Sequence, residues 1–301
     1  MKRVVSVSLG SSKRNKTTAA TLLGEVFTIE RIGVDGDLRR FADMFVELDG
    51  KVDALGVGGA DMYLWVDDRR YTFRQIRKLT SGARHTPVVD GSGLKNTLEA
   101  KLIKTLAAEG AVDFSQGAFL TSAVDRFGMA HALSEVCTRV VYGDLMMALG
   151  LPIRLRSIRS VRLLGKMLLP IVTRLPFKWF YPTGEKQEKR TPKFGWAFEE
   201  AGVICGDWPY LRRYCPDRMP DKTIITNTLR KDDLDFLANA GVAKAITSTP
   251  QFEGESFGAN VMEAVIVTVV GKRPEELCAA DYETALERLG WKPNVFDLSA
   301  R

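Results

Sequence analysis

Histidine is nearly missing from this chain of 301 residues: it occurs twice, at His85 and His131. Cysteine occurs four times, at Cys137, Cys205, Cys215 and Cys278, widely scattered and with no CxxC pair. Neither a structural zinc site nor a disulfide framework has its usual spacing, so no metal is expected and a reducing, cytoplasmic setting fits best. No uninterrupted run of about 20 apolar residues occurs, which excludes a helix spanning a bilayer. The opening "MKRVVSVSLGSSKRNK" is basic, but its apolar run is short and alternates with serine, as a first strand does and a signal peptide does not. A GxSxG elbow is also missing, and no Cys/His pairing follows from position, so covalent nucleophilic catalysis has little support. Neither histidine is assigned a role, since a lone titratable side chain is more often merely solvated or hydrogen-bonded.

What the chain does have is an ordinary soluble composition, 45% hydrophobic and 27% charged, long enough for one large α/β domain or two smaller ones. Its charge is uneven. Between Arg154 and Arg190 ten basic residues face two acidic ones, a net +8 in a chain whose total is +6. The remainder is therefore slightly acidic.

Strand and helix signals alternate. "VVSVSLG", "TAATLLG" and "EVFTIERIG" are short β-like runs, and Leu38, Phe41, Met44, Phe45 and Leu48 recur at helical spacing. "MYLWVDDRRYTF" reads as a hairpin turning at Asp67 and Asp68, and "VVDGSG" leads into the long helix "LKNTLEAKLIKTLAAEG". Strands followed directly by helices at this interval indicate Rossmann-like parallel sheets with helices on both faces. Prolines at 152, 170, 176, 182 and 192, together with the basic run, interrupt the rhythm. The expected organisation is an N-terminal α/β domain over 1–151, a basic, Pro-rich apolar insert over 152–195, and a C-terminal Rossmann-like domain over 196–301. One long sheet with an insertion remains the alternative.

Open parallel sheets bind ligands at the carboxyl ends of their strands, beside helix amino-termini. "GVGGAD", residues 56 to 61, supplies glycine there but lacks the GxGxxG spacing, and reads first as a turn entering the hairpin. In "VVDGSGLKNTLE", Asp90 ends a strand and Lys95 falls at a helix start, where a cation opposes the helix dipole and calls for a compensating carboxylate or phosphate. Asp125 and Arg126 end the next strand, as a structural pair or as an acid held ionised beside a substrate. Asp144 and Asp207 repeat a strand, Gly, Asp, helix arrangement in which aspartate is a preferred cap. Thr226, Asn227 and Thr228, then Thr247, Ser248 and Thr249, put hydroxyls and an amide at successive strand ends, suited to ribose, phosphate or a sugar; capping accounts for one or two of them. Gly254, Ser256, Gly258 and Glu263 line the last strand-to-helix junction, "FEGESFGANVMEAV".

"SVSLGSSKR", "TPVVDGSGLKNTLE", "SAVDRFGMA", "WFYPTGEKQ", "ITNT" and "SFGANVMEA" give the chain a resemblance to bacterial proteins labelled quinate 5-dehydrogenase, along most of its length. The resemblance implies NAD(P)-linked oxidation of a secondary alcohol in a small polyol or cyclic hydroxy acid. That chemistry uses a Lys and Asp couple to position the hydroxyl and shuttle its proton; by residue type and location, and not by a motif match, the catalytic candidates are Lys95, Asp125 and Asp90, and the candidates for an NAD or NADP site are Thr226, Asn227, Thr228, Thr247, Ser248, Thr249, Gly254, Ser256, Gly258 and Glu263. The chain departs from shikimate-type dehydrogenases in having no glycine-rich dinucleotide loop in its second half.

A shorter element, "PQFEGESFGANVMEA", is similar to the EGFG…EA segment of two-domain glycosyltransferases, in which Gly258 and Glu263 would hold a nucleotide diphosphate and its ribose. A ligand-sensing or scaffolding protein would keep the same crevice without acid–base groups. The insert mixes Trp179, Phe180 and Tyr181 with cations, so residues 161–182 suit an anionic membrane surface. A clasp on the sheet or a homodimer contact is the competing reading, since prolines interrupt any long amphipathic helix. Nucleic acid is not favoured, no recognition motif being present.

Overall fold

The computed structural model describes residues 1–176, 190–249, 251–252, 255–256 and 258–299. Its first part runs β1 (Lys2–Ser8), β2 (Lys16–Leu22), β3 (Glu25–Gly33), α1 (Leu38–Leu48), β4 (Ala54–Gly58), β5 (Tyr63–Val66), β6 (Arg69–Thr72), α2 (Arg74–Thr80) and β7 (Val88–Val89). These build a sheet ordered β2-β3-β1-β4-β7. All its pairings are parallel except that of the edge strand β2. The central strand β1 buries Val4, Val5 and Val7 completely, each contributing about 1.5–3 kcal/mol of apolar burial. Helix α1 covers one face with Phe41, Met44, Phe45 and Leu48, and Asp37 caps it by accepting the Arg39 and Arg40 N–H groups. The hairpin turns where its aspartates stand: Asp67 takes a φ of 53°, a left-handed conformation that aspartate tolerates.

The second part continues with α3 (Ser92–Ala108), β8 (Ala118–Leu120), α4 (Phe127–Val136), β9 (Val140–Tyr142), α5 (Asp144–Leu149), α6 (Ile158–Val172) and α7 (Gly195–Glu200). It goes on through β10 (Val203–Cys205), α8 (Trp208–Tyr214), β11 (Thr223–Thr226), α9 (Lys231–Asn239) and β12 (Lys244–Thr247). A small ribbon of β13 (Gln251–Phe252) and β14 (Glu255–Ser256), then α10 (Ala259–Val270), α11 (Ala279–Arg288) and β15 (Asn294–Asp297), complete it. The second sheet is ordered β15-β12-β11-β10-β8-β9, parallel except for β15.

The architecture is thus the expected one, parallel α/β layers, while the division between the sheets lies between Val89 and Ala118. Strands β8 and β9 belong to the second sheet, although both precede residue 151. Short apolar strands read alike in either sheet, so alternation alone does not locate the division. Each sheet also reverses its direction of winding once, between β1 and β4 in the first and between β8 and β10 in the second. Such switch points are where open α/β sheets leave a crevice for ligands.

Within 152–195, residues 158–172 form α6 despite Pro170, which sits in the last turn, close to the C-cap Thr173. The helix clasps the hairpin: Arg162 Nε reaches Asp67 Oδ1 at 2.7 Å, and Lys166 Nζ reaches Asp67 Oδ2 at 3.2 Å. Its outer side leaves Leu163, Met167 and Ile171 more than half exposed. Trp179, Phe180 and Tyr181 lie outside the described residues. Among the described residues no helix is long and apolar enough to cross a membrane.

The chain then returns. Helix α10 leaves the second sheet and packs on the first, its Val261, Met262, Val265 and Ile266 sharing a core with Val4, Ala54 and Val89. Asn260 Nδ2 donates to Ser6 Oγ at 2.7 Å. Gly91 permits this approach: at a φ of 88° it has no side chain, and a β-carbon there would stand 2.5 Å from Asn260 N.

Candidate active site

Lys95 lies in the first turn of α3, where its own helix dipole disfavours it. Two carboxylates compensate. Asp125, in the turn after β8, accepts from Lys95 Nζ at 2.6 Å, and Asp61, in the turn after β4, does so at 3.4 Å. The three side chains are only 12–19% exposed. Burial pushes the Lys95 ammonium toward neutrality, but Asp125 and Asp61 outweigh it and hold the pKa above its ordinary value. For Asp125 burial acts in the raising direction, and Lys95 and Arg126 prevail and lower it. The couple is therefore an ammonium between carboxylates. Because Asp61 follows β4 and Asp125 follows β8, Lys95 joins the switch points of both sheets.

Behind it lies a second network. Arg126, 2% exposed, donates Nη1 to Glu99 and Nη2 to Asp207 Oδ1, the latter at 3.0 Å. Burial raises the Glu99 carboxyl, opposed by Arg126 and Lys95. Asp207 Oδ1 also accepts from Asn227 Nδ2 at 2.7 Å, and Asn227 Oδ1 accepts from Thr226 Oγ1 at 3.0 Å. Thr228 Oγ1 meets Thr249 Oγ1 at 3.2 Å. The tips of β4, β8, β10 and β11 thus converge through Asp61, Lys95, Asp125, Arg126, Asp207 and Asn227.

Of the expected catalytic set, Lys95 and Asp125 come together, whereas Asp90 does different work. Its carboxylate accepts the N–H groups of Met62, Tyr63 and Ser92 at 2.7, 2.8 and 3.0 Å, and so fixes the loop on which Asp61 stands. Asp207 is the N-cap residue of α8, but its carboxylate makes no capping bond and serves Arg126 and Asn227 instead. Asp144 reaches across to the turn after β8, accepting the Ala123 and Val124 N–H groups at 2.9 and 3.0 Å. Burial pushes its carboxyl up to about 6, against those hydrogen bonds.

The expected cofactor set is mostly turned inward. Thr226, Thr247, Ser248 and Thr249 are buried. Thr247 Oγ1 accepts from Asn294 Nδ2 at 3.0 Å, and the Ser248 carbonyl accepts from Trp291 Nε1 at 2.8 Å. Asn227 and Thr228 are half-buried. Gly254 and the side chain of Ser256 lie outside the described residues. Gly258 precedes α10 as its N-cap. Glu263 faces α3: Gly91 N–H donates to Oε2 at 2.6 Å, while Leu94 N–H and Tyr282 Oη donate to Oε1 at 3.2 and 2.6 Å. Each carboxylate oxygen thus already accepts at least one hydrogen bond from the protein, and Glu263 is 3% exposed.

The sequence reading missed Asp61, Glu99 and the partnership of Arg126 with Asp207. Glu99 carried a signal: it shares the inner face of α3 with Leu94, Leu98, Leu102, Ile103 and Leu106, and a carboxylate on an apolar face needs a buried partner. A cavity of about 1000 Å³ runs along the outer face of α3, with Asp90, Ser92, Asn96, His131, Glu263 and Tyr282 in its wall, and includes neither Lys95 nor Asp125.

Residues 93–298 match the family described as domain of unknown function (DUF8754). The chain belongs to that family. Residues 3–90 match a second description of the same kind, domain of unknown function (DUF8753), and the boundary between the two matches coincides with the end of the first sheet. No curated protein matches the chain. Among solved structures, the hetero-hexameric glutamate dehydrogenase of Thermus thermophilus is similar at 16% identity and a TM-score of 0.41, over 96% of this chain and 74% of that one. The NAD-dependent malic enzyme of Thermotoga maritima is similar at 10% and 0.37, over 96% and 84%. A substrate-binding protein of a sugar ABC transport system from Bordetella parapertussis is similar at 11% and 0.37, over 99% and 89%. These likenesses are too slight to carry a function across.

Proposed function

We propose that the protein is an oxidoreductase acting on a secondary alcohol, or its ketone, in a small polyol or cyclic hydroxy acid of the quinate and shikimate kind. One observation carries the reading: Lys95 bridges Asp61 and Asp125, and thereby the switch points of two parallel sheets. An ammonium has three N–H donors; two are directed to these carboxylates, which leaves one for a substrate oxygen. Held in its charged form, Lys95 is set to hydrogen-bond to and polarise a carbonyl or hydroxyl oxygen of a bound substrate. Asp125 and Asp61 keep the ammonium in place.

NAD or NADP is the hydride partner that this reaction names, and the turn after β8 does not fit its diphosphate. A dinucleotide turn offers free backbone N–H groups to phosphate. Here those of Ala123 and Val124 are taken by Asp144, and that of Gly128 by Asn96 Oδ1 at 2.9 Å. No step is therefore assigned through the cofactor. A second reading, a non-catalytic ligand-binding protein, is favoured by the same closure and by the two carboxylates that hold Lys95 charged.

Titration of the purified protein with NADH, NADPH and UDP-glucose, followed by tryptophan fluorescence, separates the classes. The proposal expects nicotinamide binding and quinate- or shikimate-dependent turnover that Lys95→Met abolishes. Nucleotide-sugar binding alone favours a transferase, and silence toward all three favours the ligand-binding reading.

We also propose that the exposed Leu163, Met167 and Ile171 of α6 meet an anionic membrane surface, because Arg159, Lys166 and Arg174 are exposed on the same helix and its end. Flotation with phosphatidylserine vesicles should recover the parent and lose a Leu163→Ser, Met167→Ser variant. Equal recovery of both, with a dimer mass for the parent alone, would assign the row to a second copy of the chain.

A further inference from the structure

The hairpin of β5 and β6 contributes one face to the cavity along α3. Met62, Leu64 and Val66 are buried in the core, so the alternation of a strand turns Tyr63 and Trp65 the other way. Both are half-buried. Arg70 stands opposite Trp65 in the pairing of the two strands and so shares their face. All three residues line the cavity. The guanidinium carbon of Arg70 lies 4.2 Å from the centroid of the Tyr63 ring and 5.9 Å from that of Trp65, within the range of cation–π attraction. The indole is held as well, because Trp65 Nε1 donates to Ser92 Oγ, in the first turn of α3, at 3.1 Å.

Arg70 differs from the other charged side chains of this wall. Asp67 is paired with Arg162 and Lys166, Lys101 with Glu287 at 3.3 Å, and Lys104 with Glu135 at 2.9 Å. Asp90 and Glu263 accept N–H groups of the protein, and Glu263 also the Tyr282 hydroxyl. Asp68 and Glu283 are exposed to water. Among the described residues no carboxylate pairs with Arg70. A guanidinium carries its five N–H donors around its edge, and stacking on a ring occupies only its face. The edge of Arg70 is therefore left for an acceptor from outside the chain. At about 1000 Å³ the cavity has room for a fused pair of rings beside it.

We propose that this cavity is a second ligand site, distinct from the Lys95 couple, and that it takes a flat aromatic carboxylate. The ring lies against Trp65 and Tyr63, whose faces favour offset or edge contact with another aromatic ring. The carboxylate meets the edge of Arg70 by two parallel N–H···O bonds. A neutral sugar would also stack on the indole, but it would leave the Arg70 charge without a counter-ion. Lys95 and Asp125 lie outside the cavity, so the site stands whether or not the reaction proposed above takes place.

Fluorescence anisotropy of 2-naphthoate, titrated with the full chain at fixed ionic strength, tests this. Saturable binding is expected, weakened about tenfold or more in Arg70→Gln and severalfold in Trp65→Leu. Arg70→Lys, which keeps the charge and loses the flat fork, should fall between the parent and Arg70→Gln; circular dichroism will verify that each variant is folded, and the lysine variant carries the comparison where the glutamine one is not. The uncharged 2-naphthol and the saturated decahydro-2-naphthoate should each displace the probe less well than unlabelled naphthoate does. Quinate, a carboxylate on a saturated ring, should not displace it. No saturable binding, or parent affinity in the folded Arg70 variants, overturns the site. Displacement by D-glucose at the concentration that unlabelled naphthoate needs would make it a carbohydrate site, and displacement by quinate would move the probe to the Lys95 couple; either result overturns the proposal.

Discussion

Glu263 and Gly91 are joined by a 2.6 Å hydrogen bond across 172 residues of sequence. With the bonds from Leu94 and Tyr282, this contact makes Glu263 the cap of a helix that begins far ahead of it in the chain, and fixes the segment that carries Lys95.

This carboxyl should make stability depend on pH. Burial, with the nearby Asp90 charge, pushes it up to about 7 from an ordinary 4.5, against the hydrogen bonds it accepts. A carboxyl whose folded pKa is raised stabilises fully below its unfolded pKa, and that contribution disappears as pH climbs through the folded value. Urea unfolding between pH 5 and pH 8 should show the parent losing on the order of 3 kcal/mol more than Glu263→Gln. Parallel slopes for the two proteins would contradict the assignment.

The Lys95 couple should respond to partial and complete removal differently. Lys95→Met leaves Asp61 and Asp125 facing each other without their cation and should cost about 3 kcal/mol. Adding Asp125→Asn should return about 1 kcal/mol or more. A double variant no more stable than Lys95→Met in urea would show that the charges are not coupled.

Two glycines offer a steric contrast. A β-carbon on Gly128 would run into the Asn96 carbonyl, where α4 crosses α3, while Gly24, at a φ of 85°, has open space around it. Gly128→Ala should therefore lose about 3 kcal/mol through overpacking, and Gly24→Ala about 1 kcal/mol through its backbone alone. Equal losses in chemical denaturation would refute this packing of α3 on α4.

Asp67 ties α6 to the hairpin by half-exposed ion pairs. Asp67→Ala should lower global stability by only about 0.5–1 kcal/mol, yet speed hydrogen exchange across residues 158–172 most strongly at low salt. Unchanged exchange there would mean that Val161, Gly165 and Leu169 hold the helix without the charges.

The hairpin, α1 and the long α3 were legible because period and turn chemistry are local properties of sequence. Lys95 and Asp125 could be paired by kind and by their places at strand ends. Asp61 was hidden in a glycine-rich turn whose part in the hairpin explained it well enough. The inward hydroxyls of Thr226, Thr247 and Thr249 were not legible, because a residue at a strand tip may face cleft or core and the sequence carries no sign of which. Nor was the return of α10, since a contact between Glu263 and Gly91 leaves no periodic trace in either segment.

The returning α10 also sets an order of events during synthesis. A ribosome delivers β1, β4 and α3 well before Glu263, so the nascent first sheet waits with Val4, Ala54 and Leu94 uncovered. The apolar face of α10 arrives late and closes it. Chaperone occupancy of ribosome-bound chains should accordingly persist until this helix has left the exit tunnel, and truncations ahead of Val261 should expose the same face permanently.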